Sequence, residues 1–240
     1  MKPPAITLQD VTCRFGHLTA LQNIDLTIPE GQAFTLFGPN GAGKSTMLRL
    51  IATLGKPSSG DILVHDINVS NNPETVRKNI GLISHQTLLY DDLTAPENLA
   101  FYGKMYGLQN LNQRIDEVLR AVGLEHRQND RVRNFSRGMK QRLAIARSIL
   151  HKPSILLLDE PFTGLDTSAQ SMLSNMIVDL KTEGRTIFLV THDLGQGLSL
   201  ADHFGILNRG KLVHKSSTEN LNESDLQSLY EKKVEHPPAP

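Results

Sequence analysis

An unbroken run, Gly38-Pro39-Asn40-Gly41-Ala42-Gly43-Lys44-Ser45-Thr46, matches the pattern G-x-x-x-x-G-K-[ST] in full. The chemistry such a run supports is phosphate binding. Its glycines let the backbone wrap tightly, so that successive N–H groups point at phosphate oxygens. A helix starting at the end of the loop adds its positive dipole end. Lys44 supplies a cation for β- and γ-phosphates, and Ser45 offers a hydroxyl to Mg²⁺. A chance glycine loop could share the spelling. It would not also need an apolar strand before it and a helical pattern after it, and both are present here.

A second run, Ile155-Leu156-Leu157-Leu158-Asp159-Glu160, reads as a buried strand that ends in two acids. In open α/β sheets the C-terminal strand ends line the ligand crevice. Asp159 can hold Mg²⁺ directly or through water. Glu160 can polarise an attacking water as a general base, a role worth roughly 10²–10⁴-fold in rate. Alone, the pair reads equally well as a solvated acidic turn. Beside a phosphate loop it reads as the other half of a phosphoryl-transfer site.

The elements that must position these residues follow from the hydrophobic pattern. Short β-type runs cover residues 6–11, 24–28 and 33–37, and the last feeds the glycine loop and a helix over 44–53. Residues 62–64 and 80–83 read as further strands. From about residue 95 to 150 the pattern is mostly helical, with residues 111–122 amphipathic and Leu143, Ala146 and Ile149 marking one face of a helix that starts near Ser136. The β/α alternation then returns: a strand over 155–158, a helix over 168–181, and strands over 186–190 and 204–207. The tail from Ser216 is polar, with a weak helix over 223–232 and a Pro-rich end that reads as disordered.

Composition bounds the rest. At 240 residues the chain makes one or two domains and needs no covalent staples to bury a core. Lys+Arg and Asp+Glu are both 25, and this neutral balance argues against a nucleic-acid partner. The lone Cys13 excludes an internal disulfide and fits a reducing compartment. No stretch has the length and apolarity of a membrane span, and no secretory signal opens the chain.

The two motifs and their separation resemble the ATPase subunit of an ABC (ATP-binding cassette) transporter, over about residues 6–213. Smaller elements fall in the family's order. Phe15 stands where the family has the aromatic that stacks on adenine, although alone it would read as a core aromatic. Gln86, in Leu82-Ile83-Ser84-His85-Gln86, matches the glutamine that meets Mg²⁺ and couples to the membrane partner. Phe135-Ser136-Arg137-Gly138-Met139 stands where Leu-Ser-Gly-Gly-Gln is expected. Thr163-Gly164-Leu165-Asp166 is similar to the D-loop, and Thr191-His192-Asp193 matches the switch histidine.

The resemblance implies an α/β fold: a P-loop NTPase core of RecA-like mixed sheet with an antiparallel β subdomain, plus an inserted α-helical subdomain at about 87–150. The cassette would cover 1–215 and the polar tail 216–240. ATP would lie on the phosphate loop with Phe15. Mg²⁺ would meet Ser45, Gln86 and Asp159, and Lys44, Glu160 and His192 would serve hydrolysis. Ser136, Arg137 and Gly138 would cover the γ-phosphate on a second cassette, with Asp166 in the D-loop, so a homodimer or a dimer of like domains is implied. Here Arg137 replaces the signature's first glycine and Met139 its glutamine. Arg137 adds positive charge near phosphate, while its bulk opposes a close backbone approach. Retained, slower hydrolysis is the expectation.

The implied assembly is a peripheral subunit on the cytoplasmic face of the inner (cell) membrane, bound to an integral membrane permease. A single cassette with a short tail is expected of an exporter. The wording around Arg137, around Asp159 and around His192, with Phe162 where many cassettes have Thr, resembles bacterial haem-exporter ATPases of cytochrome c maturation. It also resembles cassettes of drug- or lipid-type exporters. Two other classes are weighed: a soluble ABC factor, which would show a long coiled-coil insertion or tandem cassettes, and a switch without turnover, which would not need Glu160.

Overall fold

The computed structural model describes residues 3–84 and 87–234. The chain opens with β1 (Pro4–Phe15) and β2 (Leu18–Pro29), an antiparallel hairpin closed by the two residues Gly16 and His17. β3 (Ala33–Phe37) is buried along its whole length and leads through the glycine loop into α1 (Lys44–Ile51). Next come β4 (Ser59–Val64), β5 (Ile67–Asn68), α2 (Pro73–Asn79) and β6 (Ile80–Ile83).

The middle of the chain is a helical lobe of α3 (Ala95–Met105), α4 (Leu111–Ala121) and α5 (Arg137–Ile149). α3 starts at a capping box in which Thr94 accepts from the Glu97 N–H and the Glu97 carboxylate accepts from the Thr94 N–H. The core then resumes with β7 (Ile155–Asp159), α6 (Thr167–Thr182), β8 (Thr186–Val190), α7 (Leu194–Leu200), β9 (His203–Asn208), β10 (Lys211–Ser217) and α8 (Glu223–Val234).

Two sheets result. A small antiparallel sheet has the order β2-β1-β4-β5. The large sheet has the order β10-β9-β3-β8-β7-β6, with β10 antiparallel to β9 and the remaining pairs parallel. The period-two alternation of strand side chains divides the large sheet between two cores. Phe34, Leu36, Ile155, Leu157, Phe188 and Val190 face α1 and the small sheet. Ala33, Ile83, Leu156, Leu158, Ile187 and Leu189 face the opposite way, where the helical lobe and α6 cover them. Both faces are covered, which explains why these strands are apolar throughout.

The observed elements extend the expected ones. β1 and β2 run well beyond their apolar centres because bulges keep them paired past polar residues. α2, β5, α7 and β10 are too short or too polar for a periodic signal. The polar tail contributes more than a weak helix: on α8, Leu226 is fully buried against Phe37, Phe204 and Ile206. The Asn208 amide closes that helix by donating to the Lys233 and Val234 carbonyls. This packing backs the end of β3, immediately before the glycine loop.

Candidate nucleotide-binding site

Strand order brings the motifs together. β3, β8 and β7 lie side by side, and Leu36 is in register with Val190, which is in register with Asp159. The glycine loop, the Thr191-His192 pair and the Asp159-Glu160 pair therefore leave the same edge of the sheet.

Within the loop, Gly38 and Gly43 are positions no other residue fits. Both have positive φ, and a Cβ would strike the Leu207 carbonyl at Gly38 and the Ala20 carbonyl at Gly43. β2 and β9 thus wall the loop from behind, and α1 starts directly from Gly43. Lys44 is buried, and its ammonium donates to the Gly38 carbonyl at 2.6 Å and the Pro39 carbonyl at 3.1 Å. Burial lowers its pKa, and the nearby Glu160 and Asp159 carboxylates oppose that shift. The loop curls around its own lysine.

Ser45 Oγ donates to Asp159 Oδ1 at 3.0 Å. Two hard oxygen donors from different motifs thus stand adjacent, a set that suits Mg²⁺ completed by phosphate and water rather than by an all-protein cage. Glu160 sits at φ 48°, in the left-handed region that a non-glycine residue rarely adopts. Its N–H donates to the Val190 carbonyl at 2.9 Å. Its carboxylate lies 2.8 Å from His192 Nδ1, and the buried Thr191 hydroxyl reaches the same oxygen at 3.4 Å. β7 and β8 therefore hold Glu160 and His192 as one pair, and Thr191, quoted in the histidine motif without a role, supports the same carboxylate.

The signature segment lies across a pocket of about 310 Å³ lined by Thr87, Phe135, Arg137, Lys140, Gln141, Glu160, Pro161 and Thr163. Ser136 is the N-cap of α5, its hydroxyl accepting from the Met139 N–H at 3.2 Å. Met139 packs inward against the helical-lobe core. Gly138 has room for a Cβ at ordinary contact from Ala169. The Arg137 guanidinium turns back on its own chain and donates to the Thr163 carbonyl at 3.0 Å. Asp166 caps α6 by accepting from the Ala169 N–H at 2.8 Å. Phe15 stands 61% exposed at the tip of the β1–β2 hairpin, with the exposed Leu18 opposite it. Gln86 lies outside the described residues.

Residues 21–163 match the family model described as ABC transporter. The chain is 38% identical to the ABC transporter ATP-binding protein NatA of Bacillus subtilis, over 92% of both chains. It belongs to the ABC transporter family. This cassette is thus an ATP-binding subunit, and its ATPase activity is coupled to transport. It is also 37% identical to the bacitracin transport ATP-binding protein BcrA of Bacillus licheniformis, over 93% of this chain and 73% of that one. Among solved structures, an ATP-binding subunit of an ABC transporter superposes with TM-score 0.83 at 31% identity, covering 94% of each chain. The cassette MJ0796, solved as a dimer bound to ADP and Pi, superposes with TM-score 0.79 at 30% identity, covering 89% of this chain and 98% of that one.

Proposed function

We propose that this cassette hydrolyses ATP as one half of a cassette dimer and powers export through a separate membrane permease. The observation that carries the hydrolytic part is the juxtaposition of two pairs, Ser45–Asp159 and Glu160–His192, at neighbouring strand ends. In this reading the loop from Gly38 to Thr46 cradles the triphosphate, Lys44 neutralises it and Phe15 stacks on the base. Ser45, Asp159 and Gln86 hold Mg²⁺, which supplies charge neutralisation when bound. Glu160 polarises water and His192 meets the γ-phosphate. Ser136 and Gly138 face the nucleotide of the second cassette, the Arg137 guanidinium between them turns to the Thr163 carbonyl, and Asp166 caps α6 in the same D-loop. Differential affinity for ATP and ADP then closes and opens the dimer.

Relatives named for resistance or export support the direction: the linearmycin resistance protein LnrL of Bacillus subtilis, 35% identical, and a Nod factor export protein of Cupriavidus metallidurans, 31% identical. The names linearmycin resistance and bacitracin transport favour the drug side of the drug- or lipid-type reading. Haem, for cytochrome c maturation, is the second reading, favoured by the wording around Arg137, Asp159 and His192. Phe162 lends that reading little support, because it is buried in the helical-lobe core and meets no cargo.

The permease docks, in this proposal, on a groove of about 620 Å³ between α2 and the helical lobe. Leu54, Leu88, Met105 and Tyr106 line it and are exposed. Its floor holds Arg147 Nε and His151 Nδ1, which are buried and have no hydrogen-bond partner among the described residues. An apolar segment carrying an acid for Arg147 Nε and a hydrogen-bond donor for His151 Nδ1, whose Nε2–H is given to the Ile80 carbonyl, suits such a floor. This reading places the cassette peripherally, on the cytoplasmic face, bound through the groove; among the described residues no helix is long and apolar enough to cross a membrane. A photocrosslinking residue at Met105, used in native membranes with ATP, tests it. A multi-span permease should be captured, and its class separates haem from drug- or lipid-type cargo. Capture of soluble proteins alone would refute the transporter assignment of this groove.

A further inference from the structure

Helix α5 grips the turn that follows Glu160 at two points. Arg137 Nη2 donates to the Thr163 carbonyl at 3.0 Å, and one helical turn later Gln141 Nε2 donates to the Pro161 carbonyl at 3.2 Å. The guanidinium also lies flat over Gly164, where φ is +73° and any Cβ would collide with it. Arg137 is exposed, so it is not held there by burial. The turn itself is rigid: the Thr163 N–H donates to the Glu160 carbonyl at 3.2 Å and the Leu165 N–H to the Phe162 carbonyl at 3.2 Å. A displacement of the N-terminal end of α5 is therefore passed through two carbonyls to the residues directly after Glu160.

We propose that Arg137 is a positioning residue that fixes, within one cassette, the signature end of α5 to the turn carrying Glu160. This rests on the hydrolytic reading above and deepens it. The side chain reaches the carbonyl of its own D-loop rather than a phosphate. The bulk that makes Arg137 awkward in place of a glycine is accommodated by the bare backbone of Gly164. Where Ser136 meets the nucleotide of the second cassette, the same movement adjusts Glu160 of the first, so the two sites of a dimer communicate through this latch. A catalytic group displaced rather than removed loses part of its effect, because rate depends steeply on geometry.

The test is kinetic and structural together, on full-length protein. Arg137→Ala should lower kcat by roughly tenfold and leave KM for MgATP nearly unchanged, the pattern of a lost transition-state arrangement. Arg137→Lys, which keeps one donor and the charge, should restore much of that loss. Gly164→Ala should be harmed more in the native background than beside Arg137→Ala, because its Cβ pushes the mobile guanidinium off the Thr163 carbonyl, a loss the Arg137→Ala protein has already taken, while the φ strain is common to both. The same cycle is read by thermal denaturation, which needs no turnover and so separates failure of the latch from failure of the hydrolytic reading. A raised KM at constant kcat would make Arg137 a phosphate contact and overturn the proposal. So would an Arg137→Ala variant with native kinetics, or additive effects of the two substitutions.

Discussion

At its N-terminal end, α5 presents an exposed serine hydroxyl and an arginine that lines one pocket with Glu160. Thirteen residues on, its C-terminal end is buried among aromatic rings and cations. A helix of that length spans about 20 Å, enough to join the nucleotide site to the groove. The first end is built from backbone: glycine N–H groups, strand termini and a cap. The second is built from side chains: His151 stacks on Tyr106 with ring centroids 3.9 Å apart, and the Arg147 guanidinium lies over Tyr102 at 5.1 Å. Phosphate is recognised alike in every such site, so backbone geometry serves. A protein partner differs from system to system, and side chains are what can vary without disturbing the loop.

The largest expected effect strikes the first end alone. Glu160→Gln should lower phosphate release by roughly 10²–10⁴-fold, the share of a general base. Nucleotide binding through Lys44 and the loop should persist, so the variant should elute as an ATP-trapped dimer on a sizing column. A monomer at saturating ATP would break the picture of a site shared between cassettes. The groove should be untouched, with crosslinking at Met105 retained.

A titration should strike the second end alone. Burial pushes the His151 pKa from 6.5 down to about 4, and Arg114, Arg185 and Arg147 add to the shift, while the Ile80 carbonyl, 3.0 Å from Nε2, opposes it. A base with a lowered folded pKa is protonated more readily when unfolded, so stability falls as pH drops from about 6.5 towards 4. Between pH 7 and pH 5 this residue should cost at most about 2 kcal/mol in urea unfolding. His151→Phe keeps the stacking on Tyr106 and removes the proton, so its profile should be flatter than the native one across that range. Equal slopes for the two proteins would sever the link between groove and acid sensitivity.

This contrast also explains what could be read from residues alone. The phosphate loop, the acid pair and His192 are contiguous runs, each bound to one strand end, so spelling and order suffice. The groove draws on Leu54, Arg77, Leu88, Met105 and the pair Arg147 and His151, five separate stretches of the chain that no local pattern joins. α2 and α7 have seven residues each, too few for an amphipathic signal. The role of α8 was hidden because its apolar stripe is thin: only Leu226 is fully buried, with Leu229, Tyr230 and Val234 partly buried beside it on an otherwise polar helix. The orientation of Arg137 depends on Gly164, which lies in a different motif. The resemblance implied a charged group near phosphate, and only the packing shows which carbonyl it serves.

The smallest expected effect tests whether the N-terminal end of α5 is independent of the C-terminal one. Ser136→Ala removes the hydroxyl that accepts from the Met139 N–H, leaving that donor to water at an exposed helix end. Loss of such a cap costs about 1 kcal/mol. If the two ends are mechanically separate, the loss appears as a small drop in unfolding midpoint at every pH, parallel to the native curve. The pH-dependent step assigned to His151 then keeps its size. If capping and groove are coupled through the helix, fraying at Ser136 would loosen the stacking of Tyr106 on His151, and the acid step would shrink with it. Measuring the two slopes side by side therefore decides whether α5 acts as a rigid rod between the sites or as two ends that share only a name.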